Sequence, residues 1–182
     1  MKKLIALLLV LTMAVCFVAC GDDGEKTGGG SDKEITGEVY DAGNVSALVP
    51  DGWKAFPVSD MWSEEAGAVD PYQMNIIKDG QSEFDMMSKP YIQIVAYEPD
   101  SMVAPSKDFY DEAEDVDPVT TGALTWEGFR ATGMLESSFI ILWTTNADGY
   151  QFQVTVFDKT DNGNISLTDA DVQAILGSII NS

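Results

Sequence analysis

Residues 139–157, FIILWTTNADGYQFQVTVF, decide the fold. Phe139, Ile141 and Trp143 fall on one side of an extended chain and Ile140 and Leu142 on the other. A strand apolar on both faces is central in its sheet and covered on both sides. After Thr145 the link Asn146-Ala147-Asp148-Gly149 is short and polar and ends in glycine, the chemistry of a tight antiparallel connection. The chain returns with Tyr150, Phe152, Val154 and Val156 on one face and Gln151, Gln153 and Thr155 on the other. That period of two is a strand's. The stretch reads as a central β-hairpin.

Working outward, upstream strands are expected at Ala123–Trp126 with Gly128–Glu136, at Tyr91–Glu98 and at Gln73–Lys78. In the second of these Ile92, Ile94 and Ala96 share a face. Further back, Val39–Val49 offers one or two strands closed by Pro50-Asp51-Gly52, and Trp53–Val58 returns. Proline fixes φ in that turn and glycine accepts a positive one. Short helices are predicted from Ser59-Asp60 through Ala66, and over Lys107–Asp115 with Ser106 as N-cap and Phe109, Ala113 and Val116 buried. A closing helix starts at Thr168-Asp169-Ala170-Asp171, where Val172, Ile175, Leu176 and Ile179 recur at helical spacing. The fold class is α+β, a mostly antiparallel sheet flanked by helices, in a single globular domain over residues 35–182.

The N-terminus has a different chemistry. Met1-Lys2-Lys3 is a short basic start, and Leu4–Ala19 is apolar apart from Thr12 and Cys16. A bilayer-spanning helix needs about 20 apolar residues, so this stretch reads as a cleaved export signal over residues 1–19. It ends in Phe17-Val18-Ala19-Cys20-Gly21, which resembles the lipobox of bacterial lipoproteins. The resemblance implies diacylation of Cys20 and a mature chain that begins there, outside the cytoplasmic membrane and anchored to it. Cys16 would leave with the signal, so no disulfide can form within one mature chain. Residues 20–34 are Gly-rich and charged and read as a flexible linker spanning on the order of 20 Å.

Loss of Lys2 and Lys3 would leave 8 cations against 30 carboxylates, a mature net charge of −22. Such a field repels nucleic acid and anionic headgroups and attracts divalent cations.

The order of strands, Val49-Pro50-Asp51-Gly52-Trp53, an acidic helix, hairpin strands and Ala174-Ile175-Leu176-Gly177-Ser178-Ile179 resembles the PsbP-like family. That resemblance implies an α/β/α sandwich and a binding or accessory role, with a protein partner. It supplies no catalytic residue.

With no histidine and one mature cysteine, Ser–His and Cys–His nucleophile pairs and the usual zinc sites are excluded. What remains for catalysis is a Ser–Lys nucleophile or a carboxylate pair, as in a hydrolase of cell-wall or glycan material. Asp158 to Asp169, DKTDNGNISLTD, resembles the calcium loop of EF-hands and dockerins. It implies oxygen ligands from Asp158, Thr160, Asn162, the Asn164 carbonyl, Ser166 and Asp169, with calcium as the one cofactor in view. The alternative is that Asp161-Asn162-Gly163-Asn164 is a turn and Thr168 caps the last helix. Trp62, with Trp53 and Tyr72, is a candidate aromatic platform for a glycan or peptide. The acidic run Asp108, Asp111, Glu112, Glu114, Asp115 and Asp117 reads as a solvated face or a docking surface for a basic partner. A cleft with two facing carboxylates would favour the hydrolase, converging loop oxygens would favour calcium, and an exposed apolar patch would favour protein docking.

Overall fold

Alternation of apolar and polar residues builds nearly everything that follows. A computed structural model describes residues 35–110, 112–133 and 137–182. In chain order the strands are β1 (Gly37–Asp41), β2 (Ser46–Pro50), β3 (Trp53–Ser59), β4 (Val69–Lys78), β5 (Tyr91–Tyr97), β6 (Glu114–Asp115), β7 (Val119–Thr121), β8 (Leu124–Thr132), β9 (Ser138–Thr145), β10 (Gln151–Thr160) and β11 (Gly163–Asn164). Two 3-10 turns, Glu83–Met87 and Lys107–Phe109, interrupt them, and α1 (Ala170–Ser178) closes the chain. The expected signal peptide, Cys20 and the linker lie outside the described residues, as do Asp111 and residues 134–136.

All pairings are antiparallel. The main sheet runs β3-β4-β5-β10-β9-β8-β6, with β7 also on β8 and β11 on the end of β10. The hairpin β9–β10 is central, as its two-faced pattern requires. Asn146 builds its turn: the side-chain Oδ1 accepts from the Asp148 and Tyr150 amides, each at 3.0 Å, and Gly149 takes φ 87°. The pair β1–β2 is a separate two-stranded sheet.

One face of the main sheet carries the large core. Met74, Ile76, Ile92, Ile94, Leu142, Phe152, Val154 and Trp126 pack there under Val45, Ala47 and the Val172, Ile175 and Leu176 side of α1. The polar ends of this lid are fastened. Ser178 Oγ accepts from the Leu48 amide at 2.8 Å, Ser46 and Ile180 exchange backbone bonds, and Trp53 Nε1 donates to Asp171 at 3.1 Å.

Two predicted helices are not helices. At 60–66 the Asp60 carboxylate accepts from the Trp62 and Ser63 amides, and Ser63 Oγ from Glu65 N. These local bonds make turns, the competition that short polar side chains offer a helix. Among the described residues of 107–115 only Lys107–Phe109 coils, and Glu114–Asp115 joins the edge of β8 instead. Phe109, expected on a buried helix face, is 86% exposed. Helical cover on this second face of the sheet is thereby replaced by a crossing loop. No helix among the described residues is long and apolar enough to cross a membrane.

Candidate functional site

Strand register fixes what the second face displays. One row runs Asn75–Gln93–Thr155–Ile141–Phe129, and the next towards the sheet's end contains Ile77, Tyr91 and Phe157. The face thus changes from amides and a hydroxyl to aromatic rings along β10, from Gln153 and Thr155 to Phe157. Tyr91 and Phe157 stack at 4.1 Å, Phe139 lies 5.8 Å from Phe157, and Tyr110 meets Phe139 edge-on at 5.6 Å. Tyr110 also packs on Phe129, which meets Trp143 at 6.1 Å. Burial pushes the Tyr91 phenol up to about 12.

Over this end of the face lies a groove of 820 Å³. Tyr91, Phe139 and Phe157 form its floor, Met86 and Met87 one wall, and Phe109 with Tyr110 another. Met87 is 81% exposed and Phe109 86%. Exposed methionine and aromatic side chains converging on one concavity are the composition of a contact surface.

The methionine wall is held by one carboxylate. Asp85 Oδ2 accepts from the Gln81 amide at 2.7 Å, the Ser82 amide at 3.3 Å and Lys89 Nζ at 3.2 Å. The Gln81 amide, with help from Lys89 and Ser82, holds this carboxyl below its ordinary value. Lys89 also donates to the Asp79 carbonyl, and Asn162 N to the Ser88 carbonyl, so the turn is tied to strand ends on both sides. The aromatic wall is set by Ser106, whose Oγ accepts from Asp108 N, and by a Lys107–Asp115 ion pair at 2.7 Å.

The sequence-derived calcium ligands have other occupations. Asp158 is 5% exposed, and its two oxygens take Ser138 Oγ at 2.6 Å and Arg130 Nη2 at 2.9 Å. Thr160 donates to the Gly163 carbonyl, and Asp169 accepts from Ser166 N at 3.0 Å. Lys159 pairs with Asn164 and Thr160 with Gly163 across a two-residue turn, Asp161-Asn162. Ser166 Oγ accepts from Thr168 N, and Gln173 Nε2 donates to the Leu167 carbonyl, which closes the approach to α1. These residues are adjacent, but their bonds build a hairpin and a helix entry, with Asp169 at the N-cap position expected of Thr168. Calcium at Asp158 would have to displace Arg130.

The aromatic trio is not brought together either. Trp53 is a core residue bonded to Asp171, Tyr72 donates to Glu98 at 2.8 Å, and Trp62 stands 95% exposed in the β3–β4 loop. Of the acidic run, Asp108, Glu112, Glu114, Asp115 and Asp117 are exposed along the loop beside the groove, with Glu112 accepting from Thr132, while Asp111 lies outside the described residues.

No protein-family model matches this chain, and no curated protein matches its sequence. The groove's residues carry little signal in the sequence: Met86-Met87 sits in a polar stretch with no period, and Phe109-Tyr110 falls within a predicted helix. The one available signal was Phe157, which breaks the polar side of β10 at its end.

Proposed function

We propose that this chain is an extracytoplasmic lipoprotein, anchored through Cys20, whose β-rich unit is a binding or accessory module for a protein partner. The observation that carries the reading is the exposed Met87–Phe109 groove with its aromatic floor. Monomeric proteins keep large apolar patches from water unless something binds there. Among the described residues that line the groove, Asp161 is the one carboxylate, whereas an acid–base hydrolase works with two facing ones. A PsbP-like kinship, proposed from the turn and helix motifs, agrees with an accessory role, and the antiparallel sheet is compatible with it.

The test has two arms. In cells fed an alkyne fatty acid, label on the protein should vanish with Cys20→Ser and survive Cys16→Ser. For the groove, the full anchored chain in phosphatidylcholine nanodiscs is titrated with a short fluorescent peptide carrying Phe and Leu between uncharged serines. Saturable binding, weakened about tenfold or more by Phe109→Ser with Met87→Ser, is expected, the loss matching two truncated apolar anchors. Binding no better than to empty nanodiscs would remove the groove as a docking site.

A further inference from the structure

Resting on the docking reading, the charge around the groove identifies the chemistry of its occupant. At Thr132 the groove meets a second, polar recess of 540 Å³, lined by Glu112, Glu114, Arg130 and Ser138. Arg130 is the cation of that recess, and it is already engaged by the buried Asp158 at 2.9 Å. The two glutamates are exposed and form no ion pair among the described residues. Along the groove itself Lys89 is held by Asp85 and Lys107 by Asp115. Asp161 lines it, and Glu83 and Asp108 sit on the two 3-10 turns that carry its walls, all exposed and without such a partner among the described residues, against one exposed unpaired cation, Lys159. An apolar slot thus continues into an uncompensated acidic recess.

We infer that the groove takes a basic, amphipathic segment of a partner polypeptide: an aromatic or large aliphatic side chain on the Tyr91–Phe157 floor, with a Lys or Arg beyond Thr132 between Glu112 and Glu114. Apolar anchors supply most of the affinity, while the carboxylates select the partner's sign and speed its approach. An anionic lipid surface would present the acidic rim with charge of its own sign, which the rim repels.

The experiment is a charge series on the anchored full chain in phosphatidylcholine nanodiscs. Three labelled peptides share the Phe and Leu anchors and differ only in flanks of Lys, Ser or Glu. The Lys peptide should bind about tenfold tighter than the Glu peptide at about 0.1 M salt, and the gap should close towards 1 M as the Debye length falls from ~10 to ~3 Å. Glu112→Gln with Glu114→Gln should weaken the Lys peptide alone, and both are exposed positions where the fold tolerates the change. Phe109→Ser with Met87→Ser should weaken all three. Equal affinity for the three peptides would overturn the charge assignment and leave the docking groove standing. Failure of all three would overturn both.

Discussion

Asp158 shows how one residue type permits two chemistries and how its neighbours choose between them. In sequence it heads a loop of oxygen donors; in the fold it is a buried anion whose oxygens are filled by Arg130 and Ser138. Arg130 is half exposed and can be rehydrated, so its loss of a partner is cushioned. Asp158→Ala should therefore cost about 2–4 kcal/mol, between a lost charged hydrogen bond and a fully buried broken pair. Urea unfolding with and without chelator measures it, and the cost should be the same in both. A cost that appears only when calcium is present would return Asp158 to the metal. Tyr91 offers a second check at this scale. Its folded pKa is raised to about 12 from 10.0 by burial, so the neutral phenol is the form the fold favours. The associated stability is complete below pH 10 and is lost as pH rises through about 12. Absorbance titration should find a phenol that ionises near pH 12, and Tyr91→Phe should delete that step. A step near pH 12 that survives the substitution would contradict the packing of Tyr91 against Phe157.

At the scale of elements, the strands were legible because burial imposes a period of two on them. The β9–β10 hairpin, β5 and the closing helix all follow from apolar spacing, which tertiary packing reinforces. The two failed helices lacked that reinforcement. At 60–66 side chains captured the backbone amides, and at 114–115 an open strand edge on β8 claimed backbone that helix propensity had assigned elsewhere. The groove was illegible for a related reason: its walls are a 3-10 turn and a loop, which have no long period, and its floor needs the register of three strands to assemble. Another long-range contact was equally hidden. In the β7–β8 turn Gly122 has φ 57°, and a Cβ there would sit 2.7 Å from the Gly177 carbonyl oxygen of α1. Gly67, at φ 82°, has open space around it. Gly122→Ala should cost about 1–3 kcal/mol, since strain and a steric clash add, and Gly67→Ala distinctly less, since strain alone applies. Denaturant midpoints of the two variants compare them directly. Equal losses would mean that the approach of the turn to α1 contributes nothing to holding the helix on the sheet.

For the whole molecule the governing quantity is charge. With 30 carboxylates against 10 cations, a net charge of −20, the chain repels itself. Compactness concentrates that charge, so any cation that gathers near the surface stabilises the folded state over the expanded one. Divalent ions do this more effectively than sodium and need no built site. Among the described residues no three Asp or Glu side chains converge to form one, and Asp158 and Asp169 are already engaged in the hairpin and the helix entry. Calcium and magnesium at equal millimolar concentration should therefore raise Tm by the same few degrees in the full chain. Sodium chloride should reproduce part of the rise as it screens the same repulsion. Asp161→Asn, which alters the turn without touching Asp158, should leave the calcium and magnesium shifts equal. A calcium shift several degrees beyond that of magnesium, and lost in Asp161→Asn, would instead mean that the loop opens and rearranges around the ion. That outcome requires Arg130 to leave Asp158, and the cost of that departure would have to be met by calcium binding itself.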